Sequence, residues 1–161
     1  MIGEGEFALV RQHLEAALGV AASWLGDHDV LATLIDVAAM QLDQAAIRQY
    51  APRAEELAVK YGHGLYQAIA LRAWGVAYRL AGEYPQAGER LNTALATFRR
   101  LNTRWQIGRT LFELGELARS QDNLDGARQV FTFALSAFEE MKAAPDIARV
   151  HAAINLLNSA V

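Results

Sequence analysis

The chain has 161 residues, 53% of them hydrophobic and 20% charged, which is enough apolar material for one packed domain or a short repeat array. The net charge of −3 gives no general attraction to nucleic acids or acidic membranes, so we expect neither as a partner. The absence of cysteine excludes disulfides, thiolate nucleophiles and cysteine metal sites, and it is compatible with a reducing cytosol.

Apolar residues recur with helical spacing along the chain, and turn signals separate them into eight predicted helices. In chain order these helices cover residues 6–24, 29–41, 44–60, 65–80, 85–100, 105–120, 125–141 and 146–159. The links between them are short, so neighbouring helices should form antiparallel hairpins. The sequence therefore predicts an all-α fold.

Neither a membrane span nor a secretory signal is expected. The longest uncharged run, Ala16 to Gly26, is shorter than the roughly 20 apolar residues that a span needs. The opening MIGEGEF is acidic, whereas a secretory signal starts with a basic region. We therefore expect a cytoplasmic protein that is not inserted in a membrane.

The clearest internal repetition has a period of 40 residues. Seven identical pairs appear when residues 65–104 are aligned with residues 105–144: Leu71/Leu111, Gly75/Gly115, Arg79/Arg119, Ala87/Ala127, Ala94/Ala134, Leu95/Leu135 and Phe98/Phe138. The small residues allow two helices to approach closely, and the Leu and Phe side chains fill the space between them. An array of stacked helix pairs is therefore predicted.

Both copies resemble the tetratricopeptide repeat, in which helix A carries a large, small and aromatic pattern and helix B an Ala, large, Ala pattern. The first copy shows it in Trp74-Gly75, Tyr78, Gly82, Tyr84, Ala87, Leu91 and Ala94, and the second in Leu111, Leu114-Gly115, Leu124, Ala127, Phe131 and Ala134. The period exceeds the family's usual roughly 34 residues and is similar to the longer repeats of bacterial signalling proteins. The resemblance implies a right-handed superhelix of antiparallel helix pairs, with the A helices along its concave wall.

The same resemblance divides the chain, as one domain over residues 1–161, into three repeats with a half-repeat at each end. The parts are a half-repeat at 5–25, a weak repeat at 29–64, repeats at 65–104 and 105–144, and a terminal helix at 146–161. In the weak repeat Pro52 lies inside helix B and should kink or break it near Tyr50. The half-repeats indicate either a piece of a longer protein or a chain that completes its ends by self-association.

The sequence contains no recognisable catalytic, cofactor or metal motif. We interpret Asp27-His28-Asp29 as a helix-capping loop and Gly62-His63-Gly64 as a helix C-terminal turn, instead of as metal or phosphate sites. Walker-type, GxSxG and HExxH patterns are missing from the sequence. We therefore expect neither an enzyme nor a protein that binds a metal or cofactor.

The family's groove-facing positions, carried onto this sequence, give eight candidate partner-binding residues: Arg72, Val76, Arg79, Arg109, Phe112, Glu116, Arg119 and Arg149. The weak copy adds Asp29, Asp36, Ala39 and Met40. Packing of the core does not require the arginine that is repeated at Arg79 and Arg119. Guanidinium groups suit bidentate recognition of carboxylates. The alternative interpretation is that these arginines are solvated or paired with Asp36, Glu113 and Glu116.

The resemblance implies a protein–protein interaction module that binds a peptide or partner domain in a concave, arginine-bearing groove. An acidic or C-terminal peptide segment is the expected ligand, and a larger bacterial signalling or regulatory protein is the expected setting. The alternative function is a structural homodimerisation module. A half-repeat at the start would leave uncovered an apolar helix face of Phe7, Leu14 and Leu18, and such faces are typical of interfaces.

Overall fold

The computed structural model describes residues 4–18 and 26–159, and over those residues every regular element is an α-helix. The eight helices are α1 (Glu4–Ala17), α2 (Asp27–Met40), α3 (Gln44–Lys60), α4 (Gly64–Leu80), α5 (Tyr84–Arg100), α6 (Arg104–Ser120), α7 (Leu124–Glu140) and α8 (Ala144–Ser159). The predicted all-α fold is confirmed. The predicted first helix extends to residue 24, and its part beyond residue 18, with Trp24, lies outside the described residues.

The turns between α2 and α8 repeat at intervals of 20 residues and share one geometry. Each contains a residue with positive φ: Leu42, Gly62, Gly82, Asn102, Asp122 and Lys142. The amide of the following residue then donates to a carbonyl five positions back, as in the bond from Asp43 to Ala38 and the bond from Thr103 to Phe98. This bond pattern is the Schellman motif, which satisfies carbonyls that the end of a helix would otherwise leave unpaired. Because every unit has the same length and turn, the helices stack in a regular array.

The array is curved, with α2, α4, α6 and α8 on its inner side. Sequential helices pack as antiparallel neighbours, but α2 also contacts α4, α4 contacts α6, and α8 is joined to α6 by the hydrogen bond from Arg149 to Glu113. Over the described residues, α3, α5 and α7 make no comparable contacts with one another. Helices that approach one another more closely lie on the concave side of a bend. The even-numbered helices from α2 to α8 are therefore called the inner helices below.

The repeated small residues are the points of closest approach within each helix pair. A Cβ placed on Gly75 would come within 2.5 Å of the Leu91 side chain, and one placed on Gly115 would come within 2.5 Å of the Phe131 ring. Ala87 and Ala94 are fully buried, as are their counterparts Ala127 and Ala134. The prediction that the small residues repeated every 40 positions let paired helices approach closely is thus confirmed.

Pro52 does not break α3. The helix continues from Gln44 to Lys60, with Pro52 inside it. The buried face of this helix includes Ala51, Ala54 and Ala58, which pack into the main core together with residues of α2 and α4. Tertiary packing on both sides of the proline therefore outweighs the loss of one backbone hydrogen bond. The predicted break near Tyr50 is wrong, and the alternative of a kink there stays a prediction.

We expect Gly115→Ala to destabilise the protein. The added methyl would overlap the buried ring of Phe131, and overpacking of this kind costs about 1–3 kcal/mol, more than the roughly 1 kcal/mol of helix propensity that alanine adds. Urea unfolding followed by circular dichroism measures the change.

Gly88→Ala is the matched control. Its new Cβ would lie 3.7 Å from Leu117 Cδ2, an ordinary contact, so the helix-propensity gain of up to about 1 kcal/mol should appear as stabilisation. Equal effects of the two substitutions would contradict the close packing at Gly115.

Candidate functional site

A buried carboxylate on α2 joins three inner helices. Asp36 accepts a hydrogen bond from Arg72 of α4 at 2.8 Å and one from Arg109 of α6 at 2.5 Å. Both arginines are almost fully buried, with 1% and 4% of their surfaces exposed. Arg72 also lies 5.2 Å from the ring centre of Phe98, and Arg109 lies 4.7 Å from that of Trp105, which adds cation–π attraction. We call this group the Asp36 clamp.

The charges in the clamp change one another's pKa. Burial by itself raises the pKa of Asp36, but the attraction of Arg72 and Arg109 and their hydrogen bonds prevail and lower it below the usual value. Burial lowers the pKa of Arg72 to about 10, against the opposing effect of Asp36. Asp36 and Arg72 are therefore both charged near neutral pH.

A second buried carboxylate, Glu113 of α6, joins α6 to the inner helices on either side of it, α4 and α8. Glu113 accepts from Arg79 of α4 at 3.2 Å and from Arg149 of α8 at 3.4 Å. Arg149 lies flat against Phe112, with its guanidinium carbon 4.0 Å from the ring centre. The remaining arginine, Arg119, is bonded to Glu116 of its own helix at 2.6 Å.

All five candidate arginines are thus paired with the three carboxylates that the alternative interpretation of the sequence names. Arg79 and Arg119 share a register in the repeat but not an environment: Arg79 is buried on Glu113, whereas 40% of the Arg119 side chain is exposed. The buried ion pair gives Arg79 a packing role that the sequence analysis did not assign to it.

Five of the eight candidate residues lie together and three lie elsewhere. Arg72, Val76 and Arg109 are buried among the inner helices. The other five line one cavity of about 330 Å³ near the C-terminal ends of α2, α4 and α6: Arg79, Phe112, Glu116, Arg119 and Arg149. The rest of its wall is mainly apolar and consists of Met40, Leu42, Ala152, Ala153 and Leu156. We call it the arginine cavity.

Two of the arginines that line this cavity have an unused hydrogen-bond donor. The Nε atoms of Arg79 and Arg119 are buried and have no acceptor among the described residues. A buried donor without a partner costs free energy, so these atoms favour an acceptor supplied from outside.

A second cavity, of about 380 Å³, lies towards the N-terminal ends of the same inner helices. It is lined by Asp29, Ala32, Thr33, Asp36, Val37, Tyr66, Ile69 and Gln106. The Asp36 clamp borders it, and Gln106 Oε1 is a buried acceptor without a donor among the described residues. We call it the acceptor cavity. Its lining includes Asp29 and Asp36, which the resemblance placed on the concave wall, while Thr33, Tyr66 and Gln106 were not foreseen.

The histidines do not assemble a metal site. His28 and His63 stack with their ring centres 4.9 Å apart, next to Tyr61 and Tyr66. Within residues 4–18 and 26–159, no group of three or more potential ligand side chains could hold a metal ion. The same part of the chain has no helix that is long and apolar enough to cross a membrane.

Asp36→Asn should lower the free energy of unfolding by about 3–5 kcal/mol, because it leaves two buried arginines without a counter-charge. Chemical unfolding measures this. The lowered pKa of Asp36 stabilises the fold above its unfolded-state value of 3.8 and loses that effect as pH falls through the folded-state value. The wild type should therefore lose stability relative to the variant below about pH 4.

Glu56→Gln is the control, since it removes an ion pair with Arg53 in which both side chains are more than half exposed. That variant should unfold like the wild type. An Asp36→Asn protein as stable as the Glu56→Gln protein would show that the clamp does not hold the inner helices.

Comparison with known proteins agrees with this architecture. A family model described as tetratricopeptide repeat matches residues 66–140. Among solved structures, the crystal structure of Rap protein complexed with competence and sporulation factor is similar, with a TM-score of 0.84 and 17% identity. That match covers 95% of this chain and 44% of the Rap chain, so this chain spans less than half the length of that protein.

At 17% identity the Rap structure supports the fold alone. No curated protein matches the sequence. The family match covers the two clearest copies of the repeat, and the similar fold extends over nearly the whole chain. Residues 66–140 therefore match the tetratricopeptide repeat, and the chain folds as a superhelix of antiparallel helix pairs of that type.

Proposed function

We propose that this protein is an interaction module that binds an extended segment of a partner along its inner helices, with a carboxylate of that segment in the arginine cavity. Tetratricopeptide repeats typically serve protein–protein interaction, and stacked repeats present an extended concave surface for it. The Rap protein of similar fold is seen in complex with competence and sporulation factor, which supports a role in binding for the fold.

The observation that carries the proposal is the pair of unpartnered Nε donors, on Arg79 and Arg119, in one cavity. Arg149 adds a third guanidinium, about one third exposed and held in place by the Phe112 ring. Three arginines face two carboxylates there, Glu113 and Glu116, so the cavity retains one positive charge for a ligand. A carboxylate is the group that matches forked guanidinium donors.

The apolar wall of the arginine cavity further restricts the chemistry of the proposed ligand. Met40, Leu42 and Leu156 are exposed apolar side chains beside the arginines. A peptide segment that carries a carboxylate next to an apolar side chain would cover them. An acidic side chain or a C-terminal carboxylate provides this chemistry, in line with the ligand expected from the sequence. The setting that we propose is a larger cytoplasmic signalling or regulatory protein.

Charge reversal at Arg119 and Arg149 should abolish partner binding. Arg119→Glu with Arg149→Glu replaces two accessible cations of the cavity with anions, whereas Arg79→Glu would place two buried carboxylates together and unfold the protein. Proteins that the wild type captures from an extract of its source cells would be identified, purified and titrated against both forms. We expect affinity to fall at least tenfold for the variant, since each charge-assisted hydrogen bond contributes about 1.5–3 kcal/mol.

The control is Arg99→Glu with Arg100→Glu, a reversal of equal charge at the end of α5. Both arginines are exposed, and neither has an ion pair among the described residues. This control should bind like the wild type, and all three proteins should have the same helical content by circular dichroism. Full binding by the Arg119→Glu and Arg149→Glu protein would refute the assigned site.

Self-association is the second candidate function, and one feature of α1 favours it. When the half-repeat is aligned with α5 by matching Gly5 to Gly82, Val10 occupies the position of Ala87, yet 41% of Val10 is exposed whereas Ala87 is fully buried. Leu9 beside it is more than half exposed. Of the predicted face, Phe7, Leu14 and Leu18 are partly buried, and Leu18 packs against the core. The apolar surface of α1 thus lies at Leu9 and Val10.

If α1 forms a homodimer interface, sedimentation equilibrium should show a concentration-dependent dimer, and Val10→Glu should shift it to the monomer. Gln86→Glu, an exposed change at the start of α5, serves as the control of equal charge and should leave the dimer intact. A wild-type protein that stays monomeric at all concentrations would remove this candidate.

A further inference from the structure

We propose that the acceptor cavity is a second subsite of the same groove and binds a primary ammonium group on an alkyl stem, as in a lysine side chain. The cavity lies on α2, α4 and α6 at the end of the groove opposite the arginine cavity. Four of its polar side chains, from all three helices, carry the recognition: Asp29, Thr33, Tyr66 and Gln106.

The hydrogen atoms of the two hydroxyl groups are already used. Thr33 Oγ1 donates to the backbone oxygen of Asp29 at 2.9 Å, and the Tyr66 hydroxyl donates to the Asp29 carboxylate. That carboxylate also raises the pKa of Tyr66, so the phenol keeps its proton. Thr33 and Tyr66 therefore have only oxygen lone pairs to offer to a ligand.

Gln106 and Asp29 add further acceptors. Gln106 Oε1 is buried without a donor among the described residues, and a buried unpaired acceptor favours a ligand that donates. Asp29 supplies the negative charge, with 32% of its side chain exposed. Among the side chains of this lining, only the Gln106 amide nitrogen still has hydrogen atoms to donate. A group that only donates, such as an ammonium, is the complement of this cavity.

The two arginines nearest the cavity do not compete for its acceptors. Arg72 and Arg109 are bound to Asp36, whereas His28 Nε2 lies 3.7 Å from Asp29 Oδ2 and shares that carboxylate. The apolar part of the wall, Ala32, Val37 and Ile69, suits a methylene stem. An ammonium makes three bonds in a tetrahedral arrangement to acceptors on different helices, whereas a planar guanidinium needs its acceptors in one plane.

The distance between the two cavities defines a ligand that uses both. On α6, Gln106 lines one cavity and Glu116 the other, ten residues apart, which is about 15 Å at 1.5 Å per residue. Four extended peptide residues cover about 13–14 Å. A ligand with a lysine four positions before a carboxylate would therefore reach both cavities. This linkage, though not the ammonium site itself, rests on the proposed function.

The test uses four short peptides and isothermal titration calorimetry with the wild-type chain. The probe is acetyl-Lys-Ala-Ala-Ala-Leu with a free C-terminal carboxylate. One matched peptide has norleucine in place of lysine, and another has a C-terminal amide in place of the carboxylate. A fourth peptide has a free N-terminus and alanine in place of lysine, so it carries its ammonium on the backbone.

We expect the norleucine peptide to bind about tenfold more weakly than the lysine probe, because it loses charge-assisted hydrogen bonds. In the Asp29→Asn protein the two should bind alike, since asparagine keeps the acceptor for Tyr66 but removes the charge. Asp125→Asn, a change in the first turn of α7 outside both cavities, should preserve the tenfold difference. If the fourth peptide matches the lysine probe, the source is an N-terminal ammonium, and the subsite stands.

The two proposals fail separately. Equal affinity of the lysine and norleucine peptides for the wild type, or no binding of the lysine probe at millimolar concentration, overturns the ammonium subsite. If the lysine and norleucine peptides bind equally but the amidated peptide does not bind, the ammonium subsite is overturned and the carboxylate site in the arginine cavity is supported. Conversely, a lysine effect without an amidation effect supports the ammonium subsite and contradicts the carboxylate site of the proposed function.

Discussion

The geometry of the inner helices depends on one carboxylate, Asp36. It holds Arg72 from the second inner helix and Arg109 from the third, so a single side chain of α2 fixes the spacing of three stacked units. Such a buried group contributes less to the free energy of folding than to fixing one arrangement of the helices, because desolvation offsets much of the attraction. An apolar cluster there would tolerate sliding of one helix past another, whereas oriented ion pairs do not. The ion pairs of Asp36 therefore oppose sliding of the three inner helices against one another.

Glu113 holds Arg79 of α4 and Arg149 of α8, and the two carboxylates together organise the concave surface. Their ion pairs fill the middle of the inner wall and leave a cavity on each side. One cavity presents oxygen acceptors and the other guanidinium donors. The two sides of the surface therefore differ in hydrogen-bonding character. A ligand with one donating and one accepting end would bind to it in one orientation only.

The helices and the repeat could be predicted from the sequence because their signals are local. Helical spacing of apolar residues locates each helix to within one or two residues over most of the chain, and Gly75 and Gly115 mark the close contacts. The turns at Leu42 and Lys142 were less readable, since neither residue favours positive φ. The period of 20 residues set by Gly62 and Gly82 would have located both.

The sequence names Asp36, Glu113 and Glu116 as possible partners of the arginines, but it could not predict which pairs form, because most of them join residues far apart in sequence. Asp36 and Arg109 are 73 residues apart, and their contact depends on how two successive units rotate. Alignment with the family's repeat pattern shows which side of a helix faces the groove, but not which side chains neutralise one another. The informative signal was present: Asp36 and Glu113 lie within otherwise apolar stretches of their helices. A carboxylate in such a place needs a buried cation.

The uniform unit length restricts how such a chain can vary. One residue added inside a helix would turn every later side chain of that helix by about 100°, because there are 3.6 residues per turn. If the residue were added in α5, α6 would present a different face to α4, and the contacts of Arg109 with Asp36 and of Arg79 with Glu113 would be lost together. The turns between these helices are too short to compensate for such a rotation. Lengthening or shortening is therefore tolerated in steps of a complete helix pair, so the natural unit of variation in this fold is 40 residues.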